Sequence, residues 1–457
     1  MSDILTVILA AGQGTRMKSD LPKVLHQIAG KPMVKHIIDQ CSDLSSEIVC
    51  VVGYQAQQVK TSINEEEKQI KFVRQKEQLG TGHAVLQAKN HIKKHQGPVL
   101  VLYGDTPLIT SDTITKMIDY HETNQAGVTI LTANVDQPEG YGRIIRDDKD
   151  KIIKIVEEDD ASDKEKKINE VNTGVYCFDS SSLNQTLQEI DNNNAQGEYY
   201  LTDTISNINQ KGKDVIPVVT DNPQETIGVN TRQDLACAEK IYRRRVNKKH
   251  MDNGVTIIDP DSTFIDAEVE IGRDTIIYPF TYIEGNSKIG SNTVIGPHCR
   301  LVNAELGQEI ELKSNCNIWN SIIKNNCTIG PFAYIRPGSE IEKEAKVGDF
   351  VELKKAKIGK GTKVPHLSYV GDARIGKNAN IGAGTIFANY DGQNKHETRI
   401  GDSVFVGSNT TLIAPVTVQD EGKTGAGAVV TKDVPEDTVV IGVPARIYQE
   451  EQNQEES

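Results

Sequence analysis

The sequence lacks the features that would tie it to a membrane, a disulfide framework or a polyanion. One tryptophan and 5% aromatic residues leave it poor in large apolar anchors, and no apolar run approaches the roughly 20 residues that span a bilayer. Positive charge is in deficit, 51 Lys and Arg against 64 Asp and Glu for a net charge of −13, so no general attraction to nucleic acid or anionic lipid exists. Cysteine is scattered: Cys41, Cys50, Cys177, Cys237, Cys299, Cys316 and Cys327 are odd in number and include no C-x-x-C pair. A zinc knuckle is excluded, and a reducing cytoplasm suits the pattern better than an oxidising compartment. The first residues carry no basic segment ahead of Ile4 to Leu9 of the kind a signal peptide has. The expectation is a soluble, cytoplasmic chain with no nucleic-acid or membrane partner. At 457 residues it is too long for one ordinary domain.

What the sequence does have is two textures. From Ile265 an aliphatic residue recurs every six positions, through Ile271, Ile277, Ile283, Ile289, Ile295 and Leu301, and after a step of five through Leu306, Leu312 and Ile318. The register runs on to Phe387, breaks over residues 389 to 398, resumes at Ile400, Val406, Leu412 and Val418, and fades after Val430. One inward aliphatic per six residues, often with glycine beside it, is the pattern of a β-solenoid whose short strands stack in parallel. No 3.6-residue period competes with it. The break at 389–398 reads as a loop leaving a coil, where binding residues usually sit on a repeat scaffold.

Before residue 230, β-rich runs alternate with helical patterns, which predicts a mostly parallel sheet covered by helices. Ile4 to Leu9, Ile48 to Val52, Ile70 to Val73 and Val99 to Tyr103 read as buried strands, and Met33, Val34, Ile37, Ile38, Cys41 and Leu44 as one helix face. Arg143 to Val156 reads as an antiparallel excursion, with the D-x-D at Asp148 to Asp150 as its solvated turn. Residues 231–250 read as a helical connector whose exposed face carries Arg243-Arg-Arg245 and Lys248-Lys249. Glu450 to Ser457 reads as a disordered acidic tail. The division expected is a first domain over 1–229, a linker over 230–250 and a repeat domain over 251–457.

Several residues carry chemistry. After the first strand, Ala10-Ala11-Gly12-Gln13-Gly14-Thr15-Arg16 lets backbone N–H groups approach an anion, without the spacing of a dinucleotide or Walker motif. Arg16 and Lys23 add charge suited to phosphoryl oxygens. Gln75-Lys-Glu-Gln-Leu-Gly80-Thr81 precedes a helix and offers amide and backbone groups to a base edge. Asp105, just past the carboxyl end of a buried strand, is a partial Mg²⁺ ligand awaiting substrate phosphates. In the repeat half Arg336 and Lys354, taken as two coils apart, are placed by stacking on one side as a clamp for a sugar phosphate. His366, in Pro365-His-Leu-Ser-Tyr369, has a side chain able to take a proton from an amine attacking a thioester. Glu352 lies near enough in the repeat to orient a cation or the incoming amine.

These motifs, Leu9-Ala-Ala-Gly-Gln-Gly-Thr-Arg-Met, Pro22-Lys23, Gln78-Leu-Gly-Thr-Gly and Tyr103-Gly-Asp105 ahead of a hexapeptide-repeat half, resemble one bacterial family. Its members are both N-acetylglucosamine-1-phosphate uridylyltransferases and glucosamine-1-phosphate N-acetyltransferases. The resemblance covers nearly the whole chain except its last dozen residues. It implies an α/β nucleotidyltransferase domain, Rossmann-like with a mostly parallel sheet, followed by a left-handed parallel β-helix of hexapeptide repeats. In the first domain it implies a nucleotide loop at Leu9, Ala10, Ala11 and Gly12 with Lys23, uracil contacts at Gln75, Gly80 and Thr81, and sugar contacts at Gly142, Glu157 and Asn172. Mg²⁺ ligands are implied at Asp105 and Asn230. In the second it implies His366 as general base, Tyr369 and Asn380 as amino-sugar contacts, and acetyl-coenzyme A contacts at Ala383, Asn389, Tyr390, Ser408 and Ala426. The substrates implied are UTP, glucosamine 1-phosphate, N-acetylglucosamine 1-phosphate and acetyl-CoA, and the assembly a homotrimer supplying precursors for peptidoglycan. One departure stands out: the family arginine before the terminal Val-Pro is replaced within Ile441-Gly-Val-Pro-Ala-Arg446, so that contact moves to Arg446 or is lost.

Overall fold

A computed structural model describes residues 3–63 and 70–448 of the chain. The acidic tail lies outside the described residues. Two compact units divide at Tyr242 and Arg243, inside the helix Arg232–Asp252 that the connector pattern predicts over 231–250.

The first unit is built on a sheet in the order Val215–Val219, Val128–Asn134, Glu170–Asp179, Pro98–Tyr103, Leu5–Ala10, Glu47–Val52 and Ile70–Arg74. Only Glu170–Asp179 runs antiparallel to its neighbours on this path. The four strands read from the sequence are all present within a residue or so at each end, but Ile70–Arg74, read as buried, is an edge strand whose residues are only partly covered or exposed. Period-two alternation divides each strand between two cores: Leu5, Val7, Val99 and Val101 face one, and Ile4, Ile8, Leu100 and Leu102 the other. The helix Met33–Ser42 buries Met33, Val34, Ile37, Ile38 and Cys41. Strands Arg143–Arg146 and Ile152–Val156 form the antiparallel excursion, and Asp147 closes its turn by accepting the N–H groups of Lys149 and Lys151 at 2.9 Å. The carboxyl ends of Leu5–Ala10 and Pro98–Tyr103 open one cleft, as expected for an open α/β sheet.

The second unit is a left-handed parallel β-helix, a triangular coil with one short strand per edge and three parallel sheets running its length. The six-residue register is the inward column of each edge: Ile277, Ile283, Ile295, Ile318, Ile335, Val347 and Leu353 are wholly buried. The register outlasts its fading in sequence, because Val434 bridges to Val418 and Val439–Ile441 pairs with Lys423–Thr424 to add a further, irregular turn. Corners take the left-handed backbone conformation, which asparagine tolerates better than other non-glycine residues, yet His298, Phe332, Phe350 and Leu367 occupy such a corner with φ between 51 and 58. The Phe332 and Phe350 rings stack 5.0 Å apart on that corner and remain about half exposed.

The cationic run of the connector helix is not a solvated face throughout. Arg243 is buried, its guanidinium 4.0 Å over the Phe264 ring, and Arg244 pairs with Asp261 at 3.2 Å. Asn247 donates to the carbonyls of Pro260 and Thr263. These side chains pin the last turns of the helix onto the first coil, so packing claims cations that composition alone assigns to solvent. Among the described residues no helix is long and apolar enough to cross a membrane, and all seven cysteines are free thiols.

Candidate functional site

In the first unit the loop after Leu5–Ala10 turns across the strand end through Gly12 and Gly14. Gly14 has φ 70, and a Cβ there would meet the Lys23 side chain at 2.5 Å, so glycine is what lets Lys23 pass under the loop. Lys23 forms the hub. Its ammonium donates to Asn230 Oδ1 at 2.7 Å and pairs with the Asp105 carboxylate, while Arg16 Nη2 donates to the same Asn230 oxygen at 2.9 Å. Asn230 is held there from both sides: the Val229 N–H donates to the Asp105 carbonyl at 2.8 Å, and the Asn230 N–H to Asp234 Oδ2 at 3.0 Å. The second carboxylate oxygen of Asp105, Oδ1, is buried without a partner among the described residues. An orphaned carboxylate oxygen beside an amide oxygen is a donor set that fits a hard divalent cation whose remaining shell comes from phosphates and water. No group of three or more His, Cys, Asp or Glu side chains among the described residues offers an all-protein cage.

These groups wall one end of a cavity of about 450 Å³ lined by Leu9, Ala11, Gly12, Arg16, Lys23, Gln75, Gly80, Thr81, Asp105, Gly142, Glu157, Asn172 and Asn230. Ala10 alone of the first-unit candidates is absent from that lining. Strand alternation turns its side chain into the core with Val24 and Leu25. At the far end, burial pushes the Glu157 carboxyl up from its usual range, against a 2.9 Å hydrogen bond from Thr202 Oγ1 that lowers it. Asn172 donates to Tyr176 Oη at 2.7 Å and accepts from the Gly174 N–H, at an irregularity in strand pairing that turns its amide to the cavity. Tyr103, Tyr141, Glu198 and Tyr200 also line the cavity, and the sequence reading missed them. Tyr103 stands at a strand end and could have been found; Glu198 and Tyr200 arrive from a stretch with no motif.

In the second unit the candidates gather at one corner and along one edge. His366 ends the strand Lys363–His366, opposite Asp349 in the preceding coil, and its Nδ1 lies 2.5 Å from Asp349 Oδ1. The imidazole beside it holds the Asp349 carboxyl below its usual range. The ladder from Lys363 through Asn380, Phe405 and Lys423 puts Ala383, Ser408 and Ala426 in the same column, one residue per coil. Around the corner, Tyr369–Gly371 stacks on Glu352–Lys354. Arg336 and Lys354 are neighbours in successive coils, not two coils apart, because three edges make one coil of about eighteen residues: Arg336 N–H donates to the Leu353 carbonyl at 2.8 Å. Glu352 holds the Arg336 guanidinium at 2.8 Å. Asp372 lies 3.7 Å from the Lys354 ammonium and accepts from Asn389 Nδ2, which is also 3.5 Å from Tyr369 Oη.

The inserted segment 389–398 folds back on this group. Asp391 accepts the N–H groups of Gln393 and Asn394 and meets His396 Nε2 at 2.7 Å. Tyr390 Oη donates to the Gly392 carbonyl at 2.6 Å, leaving the ring exposed. Lys395, on the same loop, comes close enough to Lys354 that the second ammonium holds its own below the usual amine range. Asn380 does not join the group at the corner; it lies opposite Lys363, farther along the edge. Arg446 sits on the last short strand, its Nη1 donating to the Ala445 carbonyl at 2.9 Å. Asp349, Asp372 and Lys395 are the second-unit residues that sequence reasoning missed. Asp349 precedes His366 by 17 residues, one coil, and counting coils would have found it.

Comparison with known proteins adds an independent line. The nucleotidyl transferase family matches residues 5–223, the bacterial transferase hexapeptide family matches 268–303 and 320–355, and the hexapeptide repeat of succinyl-transferase matches 397–432. The chain is 50% identical over 445 residues to the bifunctional protein GlmU of Geobacillus sp. (strain WCH70), covering 97% of this chain and 96% of the relative. It is 51% identical over 447 residues to that of Caldanaerobacter subterraneus, covering 96% and 95%, and 47% identical over 445 residues to that of Clostridioides difficile, covering 97% and 96%.

Proposed function

Because the chain belongs to the family of bifunctional GlmU proteins, we propose that it makes UDP-N-acetylglucosamine in two steps, one in each unit. The repeat unit, over 251–457, transfers acetyl from acetyl-CoA to glucosamine 1-phosphate. The first domain, over 1–229 with 230–250 as linker, transfers uridylyl from UTP to the resulting N-acetylglucosamine 1-phosphate and releases pyrophosphate.

In the acetyl transfer the sugar amine attacks the thioester carbonyl, its proton passes to His366, and the thiolate of coenzyme A leaves. Asp349 fixes the imidazole so that Nε2 faces the amine, and it stabilises the imidazolium that forms. Arg336, Lys354 and Lys395 hold the sugar phosphate, with Tyr369 on the amino sugar; Asn380, which lies away from this corner, would reach the amino sugar only from another copy. The column of Ala383, Ser408 and Ala426 beside His366, with Asn389 and Tyr390 on the inserted loop, takes acetyl-CoA. That column is the observation that carries the assignment, because it runs a binding track along the coil axis to the base.

In the uridylyl transfer a phosphate oxygen of the sugar attacks the α-phosphorus of UTP in line with the departing pyrophosphate. No covalent enzyme intermediate is needed. Arg16 and Lys23 neutralise charge on the phosphoryl oxygens, the loop Leu9 to Gly12 cradles them, Gln75, Gly80 and Thr81 read uracil, and Gly142, Glu157 and Asn172 hold the sugar. Mg²⁺ held by Asp105 and Asn230 would supply further charge neutralisation there. Homotrimers in the cytoplasm, supplying peptidoglycan and related envelope polymers, complete the reading. The exposed corner of Phe280, Phe332, Phe350 and Leu367 supports assembly with other copies.

Two assays on the purified protein with Mg²⁺ test it: thiol release from acetyl-CoA with glucosamine 1-phosphate, and pyrophosphate release from UTP with N-acetylglucosamine 1-phosphate. Asp105→Ala is expected to abolish only the second and His366→Ala only the first. Loss of both activities from either substitution in an intact assembly would overturn the two-site assignment.

A further inference from the structure

The inserted segment 389–398 is closed by a pair of side chains that the proposed chemistry leaves unused. Asp391 Oδ1 accepts the N–H groups of Gln393 at 2.8 Å and Asn394 at 2.6 Å, and its Oδ2 lies 2.7 Å from His396 Nε2. These partners, the Asn394 N–H foremost, hold the Asp391 carboxyl well below its usual range, so it is ionised and can only accept. His396 Nε2 must then carry the hydrogen, in the neutral ring and the imidazolium alike. At the base of the loop the His396 N–H donates to the Asn389 carbonyl at 2.8 Å, and Tyr390 bridges to Lys395. Glu397, the next carboxylate along the chain, is spent on Arg374 and Arg399. Lys395, one residue before His396, is thereby brought against Lys354, whose ammonium lowers that of Lys395. Like charges repel there, and the nearby carboxylates are already committed: Asp372 faces Lys354 at 3.7 Å and accepts from Asn389, and Glu352 holds Arg336.

We propose that His396 is a positioning residue for phosphate recognition in the acetyl transfer: by closing the inserted loop onto Asp391 it holds the Lys395 ammonium beside that of Lys354, so that both meet one phosphate. This rests on the reading of that corner as the clamp for glucosamine 1-phosphate. A phosphate monoester carries a charge of about −1.5 to −2 at neutral pH and offers oxygens to both ammonium groups. Without the pair, Lys395 is free to leave Lys354 for solvent, and each phosphate that binds must draw it back against that freedom. The loss falls on the phosphate alone. Asn389 is fixed separately by Asp372 and Tyr390 by the Gly392 carbonyl, so the acetyl-CoA side of the loop keeps its supports.

The test measures thiol release in wild type, His396→Leu, His396→Gln, Lys395→Ala and the double variant His396→Leu with Lys395→Ala. His396→Leu is expected to raise KM for glucosamine 1-phosphate on the order of tenfold, the factor that corresponds to one net hydrogen bond, with kcat and KM for acetyl-CoA within about twofold of wild type. Glutamine places an uncharged N–H donor near where Nε2 lies, so His396→Gln is expected to stay within about threefold of wild type; that rescue separates a positioning hydrogen bond from a cation on the phosphate. Once Lys395 is gone His396 has nothing to position, so His396→Leu should add less than about twofold to the Lys395→Ala loss. The thermal midpoint reports folding, and His396→Ala carries the same expected loss if the leucine variant is not recovered folded. An unchanged KM in a folded Leu or Ala variant, a Gln variant no better than Leu, fully additive losses in the double variant, or an equal rise in KM for acetyl-CoA overturns the proposal. Lys395→Ala with an unchanged KM for glucosamine 1-phosphate overturns the clamp itself and the proposal with it.

Discussion

Gly371 offers a severe test of the acetyl-transfer site, because nothing but space requires a glycine there. It is buried in the strand Tyr369–Gly371 with a backbone conformation that any residue adopts, so an alanine brings no dihedral penalty. Its Cβ would nevertheless lie 2.7 Å from Asn389 Nδ2 and 2.7 Å from Tyr369 Cζ, and closer still to Tyr369 Oη. Ordinary contact begins at 3.4 Å, so Asn389 must yield by about 0.7 Å and the Tyr369 hydroxyl by about 1.0 Å. Asn389 is not free to do so. Asn389 is bound to Asp372, and Asp372 also faces the Lys354 ammonium, so the displacement passes to the phosphate clamp. Overpacking of this size costs roughly 1–3 kcal/mol of stability, whereas misplacing a substrate by close to 1 Å costs about 10²-fold in rate. Gly371→Ala is therefore expected to lose on the order of a hundredfold in kcat/KM for thiol release while leaving pyrophosphate release at wild-type level. Combining it with Tyr369→Phe, which removes the nearest atom, should cost less than the sum of the single changes. A folded Gly371→Ala protein that retains half or more of its acetyl transfer would refute the reasoning.

Asp349→Asn keeps an acceptor for the His366 Nδ1–H but removes the charge that favours the imidazolium; kcat for acetyl transfer should fall by about 10²- to 10⁴-fold with little change in either KM. Since His366 holds the Asp349 carboxyl below its usual range, the pair should persist as pH falls through the ordinary carboxylate range and be lost only below it. Asp203 behaves oppositely. Burial, with Asp191 and Asp160 nearby, pushes its carboxyl up from 3.8 to about 6. A raised acid weakens the fold as pH climbs from about 4 to 6, because the unfolded chain ionises first. Asp203→Asn should raise the thermal midpoint at pH 7.5, and that gain should vanish below about pH 4; an equal gain at both pH values would refute the shift.

The fold was legible because its periods are long and clean. A spacing of six, with occasional steps of five, marks one inward aliphatic per edge from Ile265 to Phe387, and uninterrupted apolar runs mark strands buried on both faces, such as Val99 to Tyr103. Site residues inside motifs could be named for the same reason. Gly12 and Asp105 lie just past strand ends that the pattern locates, and Lys23 stands in a Pro-Lys pair. What escaped depends on stacking or on long loops. Whether Arg336 and Lys354 are one coil apart follows from three edges closing a turn, which no single hexapeptide states. Asp349 is silent until that turn is counted. Arg243 reads as a surface cation until Phe264 is folded beneath it, and Ala10 reads as part of a phosphate loop until alternation turns it inward.

The column that holds Asp349, His366, Ala383, Ser408 and Ala426 also fixes how such a site can vary. Ladder bonds are made by the main chain, so a side chain in the column can be exchanged without disturbing its neighbours' backbone. A residue added within an edge would instead turn every following side chain of that edge from inside to outside. Corners are exempt. Asp349 and His366 are 17 residues apart and Lys377 and Asp402 are 25 apart, yet each pair sits in neighbouring coils joined by a hydrogen bond. Length is therefore negotiable at corners and forbidden along edges, and a descendant of this chain can lengthen its binding loops freely while its base and donor track stay in line.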